Sequence, residues 1–315
     1  MVLVPLLGLL LILAAIVAAA ISVDAREPQT GGRLYAGGAA APLVAEGLLA
    51  AAPAGLDAAG FVTVPPPGLR SVRNDAQATA APWVDSNGWR FRRGLGKVNY
   101  DALPAGAGPL AAAEAFAFGV EAILHPDAAD LDELRKILAF LQRRTASPMT
   151  ALANVGIVDD GSSEMGEVLN MLTRRNLLYR VVQRPDPELD LNVEVGTARF
   201  PRGAVTNPGD FAARVREALG DERRLVRIYG STTVIAHLTG DSTRARLQLL
   251  SYSRNRSQSA VRIRLLGRYQ PAAFAAYGAT ADAVLSDIRH PDNAETEFSL
   301  PAFNTIAIVE LDRQR

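Results

Sequence analysis

Four carboxylates sit where chemistry could use them: Asp85, Glu114, Asp159 and Asp160. The last two open the turn Asp159-Asp160-Gly161-Ser162-Ser163, between the apolar run Val155–Val158 and an amphipathic stretch. At such a mouth a carboxylate can act as acid, base or metal ligand, and the free N–H groups of a helix start can hold an anion. A plainer reading makes one aspartate the helix cap and the glycine the turn. Asp85 belongs to Trp83-Val84-Asp85-Ser86-Asn87-Gly88-Trp89-Arg90, which holds both tryptophans of the chain. Trp83 and Trp89 offer flat faces to a sugar ring or another planar ligand, with Asp85 and Asn87 giving hydrogen bonds of fixed direction and Arg90 beside them. Alternatively both indoles are core plugs beside a turn at Asn87-Gly88. Glu114 interrupts an alanine-rich stretch: exposed it is a surface charge, but buried it would be a candidate general acid.

Other chemistries are excluded or unsupported. The chain has no cysteine, which rules out disulfides, thiolate metal sites and a cysteine nucleophile. No G-x-G-x-x-G or G-x-S-x-G occurs, and Gly94-Leu95-Gly96-Lys97 lacks phosphate-loop spacing. His125, His237 and His290 are too dispersed to suggest a zinc site, so neither metal nor cofactor is expected. Formal net charge is zero, against the basic excess that nucleic acid demands. Lys97 and Lys136 are the only lysines among 33 cationic residues, a bias that genomic G+C content accounts for.

The elements that must position these residues follow from pattern. Residues 2–21 are apolar without one charge, long enough to span a bilayer. Val23 and Ala25 then fit the small-x-small rule for signal-peptide cleavage. Export is expected, with residues 1–25 a cleaved signal or a retained membrane anchor, and the product periplasmic, extracellular or held at the cytoplasmic membrane. Residues 26–220 alternate between strand and helix patterns, which implies an α/β domain with a mainly parallel sheet. Its expected helices are 39–52, 108–118, 130–141 with Asp130 as cap, a helix capped by Ser163, and 211–219. In the helix after the turn, Met165, Val168, Leu169 and Leu172 share one face, and Asn176 is a left-handed stop. Residues 221–315 read as an antiparallel β-sandwich, with 244–249 and 261–265 alternating as half-buried strands do.

The run 224–255 and the strands after it resemble the accessory β-sandwich that closes many bacterial glycoside hydrolases. The stretches PWVDSNGWRFRR, AAAEAFAFGVEAILH and VGIVDDGSSEMGEVLNMLTRRNLLYRVV look like parts of exported bacterial proteins related to those enzymes. The strand–helix–strand unit is also similar to the flavodoxin-type, amidotransferase-like domain found beside glycosidase barrels. A class I amidotransferase needs a cysteine nucleophile that this chain lacks, so only its scaffold is implied. The stretch before the sandwich, at about 190 residues, is short for an eight-fold barrel of about 250, so a partial barrel is the barrel-type expectation. The resemblance implies a carbohydrate-active protein: a hydrolase using two of Asp85, Glu114, Asp159 and Asp160, with Trp83, Asn87, Trp89 and Arg90 on the substrate. The alternative is a non-catalytic envelope protein that binds a glycan or a protein partner.

Overall fold

The computed structural model describes residues 32–54, 59–70, 83–144, 149–253 and 257–314. The apolar segment 2–21 lies outside them, and so does the polar stretch 71–81, which its sequence gives as a loop. Among the described residues no helix is long and apolar enough to cross a membrane.

The chain begins with strands β1 (Leu34–Ala36), β2 (Ala50–Ala51) and β3 (Val62–Thr63). Between β1 and β2 the structure has only a 3-10 turn and the one-turn helix α1 (Pro42–Ala45), not the helix expected over 39–52. Alanine favours helix, but Gly38 and Gly47 bracket this stretch at positive φ, where a helix cannot continue. Strands β4 (Gly68–Arg70) and β5 (Trp83–Asp85) pair antiparallel, followed by helix α2 (Gly88–Arg92) and strand β6 (Lys97–Tyr100). Helix α3 (Gly108–Phe118) and strand β7 (Glu121–Leu124) complete a parallel sheet of order β2-β1-β7-β6-β3. Helix α4 (Leu131–Gln142) and a short strand β8 (Thr150–Ala151) come next. Strand β9 (Val155–Val158), helix α5 (Ser163–Arg174), and strands β10 (Tyr179–Val182) and β11 (Leu191–Val193) form a second parallel sheet, β10-β9-β11. Helix α6 (Pro208–Leu219) ends this α/β part.

After it, every strand pair among the described residues is antiparallel. Strands β12 (Val226–Tyr229), β13 (Val234–Gly240), β14 (Arg244–Ser251), β15 (Arg262–Leu266) and β16 (Tyr269–Ala276) are followed by β17 (Ser286–Arg289), β18 (Glu295–Ser299) and β19 (Ile306–Arg313). They make two sheets, β12-β15-β18-β17 and β16-β19-β14-β13-β8. The upstream strand β8 thus joins the second sheet, at Thr239↔Ala151.

The alternation on β15 is half-buried as expected, but β14 is buried on both faces over most of its length. The period of two sends alternate residues into two different cores. Leu249, Ala307 and Val309 pack between the antiparallel sheets. Leu250, Tyr252, Ile306 and Ile308 pack against the parallel sheet and α3. Helix α3 therefore lies between sheets and is buried on nearly every side, which explains its small residues: alanine lets neighbours approach closely. Glu114 is the only charged residue on it, fully buried.

Two caps differ from expectation. Asp130 does not cap its own helix; its carboxylate accepts from Gly106 N (2.6 Å) and Gly108 N (3.0 Å) at the start of α3. Ser162, not Ser163, caps α5, its Oγ accepting from Met165 N at 3.2 Å. Asn176 does stop α5 at φ +53°.

Candidate functional site

Asp85 ends β5, Ser86 and Asn87 turn the chain, and α2 begins at Gly88. A Cβ on Gly88 would sit 2.5 Å from the Phe118 ring, so only glycine lets α2 start this close to α3. On α5, Gly166 does the same for Trp89, whose ring lies 3.0 Å from where a Cβ would stand. These two contacts draw β5, α2 and α5 around a pocket of about 80 Å³. Its polar wall is Asp85, Asn87, Arg90, Glu167 and Asn170; its apolar wall is Trp89 with Pro65 and Pro66.

Beneath the turn lies Glu114. Its Oε1 accepts from Asn87 N (2.8 Å), Ser86 Oγ (3.1 Å) and Tyr252 OH (2.5 Å). Its Oε2 accepts from Tyr100 OH (2.9 Å) and Asn87 Nδ2 (3.2 Å). Burial pushes the carboxyl above the usual glutamate range, against the downward pull of these donors. A buried carboxylate demands such partners, and the group thereby fixes the backbone and side chain that form the pocket floor. Tyr100 and Tyr252 hydroxyls are pushed well above 10, by burial first and then by the neighbouring Glu114 charge.

Arg90 donates to Asn87 Oδ1 at 3.2 Å, and its guanidinium lies 4.2 Å from the Trp89 ring centre. Burial lowers its pKa, while the charges of Glu114, Glu167 and Asp85 pull it back up. Asn170 is 6% exposed, and its Oδ1 has no hydrogen-bond partner among the described residues.

Asp85, Asn87, Trp89 and Arg90 are thus brought together, with Glu114 directly behind them. Trp83, Asp159 and Asp160 are not among the pocket's lining residues. Trp83 is 6% exposed in the core around α5, with the Arg174 guanidinium 3.8 Å over its ring. Asp159 is held by Arg93 through two bonds, Nε at 2.6 Å and Nη2 at 2.8 Å. Asp160 accepts from Ser162 Oγ (2.6 Å) and Ser162 N (3.0 Å), which lower its pKa. The two aspartates build the turn before α5. Glu167 and Asn170 were not among the residues that the sequence offered for the site. The available signal was Asn170, a polar residue beside the apolar stripe Val168, Leu169 and Leu172.

Among the described residues no three metal-ligating side chains cluster. No protein-family model matches this chain, and no curated protein does. Three solved structures align with the chain, each at a TM-score below 0.5. An alpha-L-fucosidase isoenzyme 2 from Paenibacillus thiaminolyticus is 10% identical, with TM-score 0.49 over 67% of this chain and 57% of that one. Gan42B, a GH42 beta-galactosidase from G. stearothermophilus, is 8% identical in a catalytic mutant, with TM-score 0.40 over 80% of this chain and 53% of that one. An alpha-amylase from H. orenii is 11% identical, with TM-score 0.20 over 71% and 50%. The chain spans about half the length of these proteins.

Proposed function

We propose that this is an exported carbohydrate-active protein whose sugar site is the pocket between β5, α2 and α5. The observation that carries this reading is the convergence of Asp85, Asn87, Trp89, Arg90, Glu167 and Asn170 on one pocket. A sugar presents donors and acceptors around an apolar ring face, and this wall matches both. At about 80 Å³ the pocket is below the roughly 300–1,000 Å³ of an enclosing ligand site, so it takes the edge of one terminal ring. In this reading the parallel sheets are the remains of a barrel or a flavodoxin-like layer, residues 221–315 are an accessory sandwich, and residues 1–25 are the export signal or anchor.

If the protein hydrolyses glycosides, Asp85 and Glu167 are the carboxylates on the pocket wall available to do so, while Glu114 behind it has both oxygens bonded to five donors. That sealing of Glu114 favours a second reading, a glycan-binding protein without turnover. Titration calorimetry with a panel of oligosaccharides, run beside a reducing-sugar assay, separates the two. Trp89→Ala is expected to weaken binding at least tenfold, about 1.4 kcal/mol. Turnover that Asp85→Asn or Glu167→Gln abolishes while binding persists makes the protein a hydrolase. Binding without wild-type turnover makes it a binding protein. No saturable binding to any sugar, or binding indifferent to Trp89→Ala, sinks the carbohydrate site.

A further inference from the structure

Helix α2 carries Trp89 and Arg90 on the pocket wall and ends in Arg92, which is buried and does not line the pocket. The Arg92 guanidinium sits among aromatic rings, 5.6 Å from the centre of Phe118 and 5.4 Å from that of Tyr179. Nη1 donates to Tyr179 O at 3.1 Å, and Nη2 lies 3.4 Å from His237 Nδ1. Among the described residues no carboxylate pairs with it. A buried cation without a counter-charge depends on its neutral acceptors, and one of the two here can titrate.

His237 lies on the face of β13 that meets α3, its ring centre 4.4 Å from that of Phe118. The groups around it are few. From α2 comes Arg92. From α3 comes Phe118, while Glu114, one turn earlier, is bound to its donors at the pocket floor. From β10 comes Tyr179, whose hydroxyl burial pushes up to about 12 and which bonds with Thr173 Oγ1 (3.0 Å) and Leu169 O (3.1 Å). From β14 comes Gln248, directly opposite, with Arg246 two residues before it. The carboxylates of Asp159 and Glu310 are taken by Arg93 and Arg246, at 2.6 and 2.7 Å. A neutral His237 accepts from Arg92 at Nδ1. Protonation makes that nitrogen a donor, so the bond is lost and two buried cations face each other with no carboxylate to share.

We propose that the Arg92–His237 contact is an acid-sensitive latch on the pocket: protonation of His237 displaces Arg92, and α2 carries Trp89 and Arg90 away from Glu167 and Asn170. Arg93 N bonds back to Trp89 O and Arg90 O, both at 3.1 Å, so the pocket residues and the end of α2 move as one turn. Burial first, and the Arg92 charge second, hold the imidazole well below 6.5 in the closed state. An open state that exposes the ring to water takes the proton near 6.5, so the latch is shut above that pH and weakens below it. Glu114 acts in the opposite sense, because its raised pKa favours the fold towards acid.

Hydrogen exchange of the full chain, corrected for the intrinsic pH dependence of amide exchange, tests this without a ligand, so its failure leaves the carbohydrate reading standing. Between pH 7 and pH 5 the amides of α2 are expected to lose at least tenfold in protection, while those of β9 and β14 keep theirs. His237→Gln leaves an acceptor beside Arg92 that cannot take the proton, and is expected to abolish the loss. An α2 as well protected at pH 5 as at pH 7 overturns the proposal. So does a loss shared by the whole chain, or one that His237→Gln retains. Should that variant not fold, ring NMR of the wild-type histidines takes its place. The His237 signal must then titrate with the same midpoint as α2 exchange, and a mismatch overturns the proposal equally.

Discussion

At the scale of single residues, Glu114 sets the terms for its surroundings. Glu114→Gln keeps the shape but turns an acceptor oxygen into an NH₂ that faces donors, and is expected to cost about 3 kcal/mol in urea denaturation. Its pH dependence has a definite sign. Burial raises the folded-state pKa above 4.5, so the folded protein holds this proton more tightly than the unfolded chain does. The stability gained is complete below 4.5 and is lost as pH rises through the folded value. The variant lacks that slope, and the difference between the two melting curves across pH 4–7 isolates it; a wild-type curve parallel to the variant's would refute the assignment. The sequence offered Glu114 as either surface charge or buried acid. What decides between them is Tyr252, 138 residues away, and no local pattern carries that distance.

At the scale of elements, patterns that one segment carries by itself were legible. The α3 and β9 boundaries, the apolar stripe of α5 and the left-handed stop at Asn176 all follow from residue order. What one element does for another was not. Asp130 looked like the cap of its own helix because a cap and the start of a helical pattern adjoin in sequence; in space it sits against the start of α3. Asp130→Ala is accordingly expected to lose about 1–2 kcal/mol and to expose amides of α3, not α4, to hydrogen exchange. Protection lost from α4 instead would refute the cross-cap. The absent helix at 39–52 has the converse lesson, since alanine content argued for it while two glycines at positive φ governed the backbone.

At the scale of the whole molecule, the α/β and antiparallel parts are joined by buried polar contacts as well as apolar ones. Arg92 donates to Tyr179 O at 3.1 Å and lies 3.4 Å from His237 Nδ1 on β13. Burial first, and the Arg92 charge second, push the His237 imidazole well below 6.5, which leaves it neutral and able to accept that bond. Asn176 is the second tie: Nδ2 donates to Val234 O at 3.1 Å and Oδ1 accepts from Ala236 N at 2.7 Å. Asn176→Gly keeps the positive φ and loses only these bonds, an expected cost of about 2 kcal/mol; Asn176→Ala adds roughly 1 kcal/mol of backbone strain. Equal losses in chemical denaturation would mean that the backbone conformation contributes nothing. The switch from alternating strands and helices to strands alone was readable, but the doubly buried β14 and the recruitment of β8 were not, because period-two alternation identifies two faces without saying what covers each.

The long reach of the Glu114–Tyr252 bond also has a consequence in time. A ribosome adding about 5–20 residues per second makes Tyr252 roughly 7–28 s after Glu114. For that interval α3 carries an acidic side chain whose final hydroxyl donor does not yet exist. The floor beneath Asn87 is therefore among the last parts of the molecule to set, although the residues that form most of it are among the first to be made.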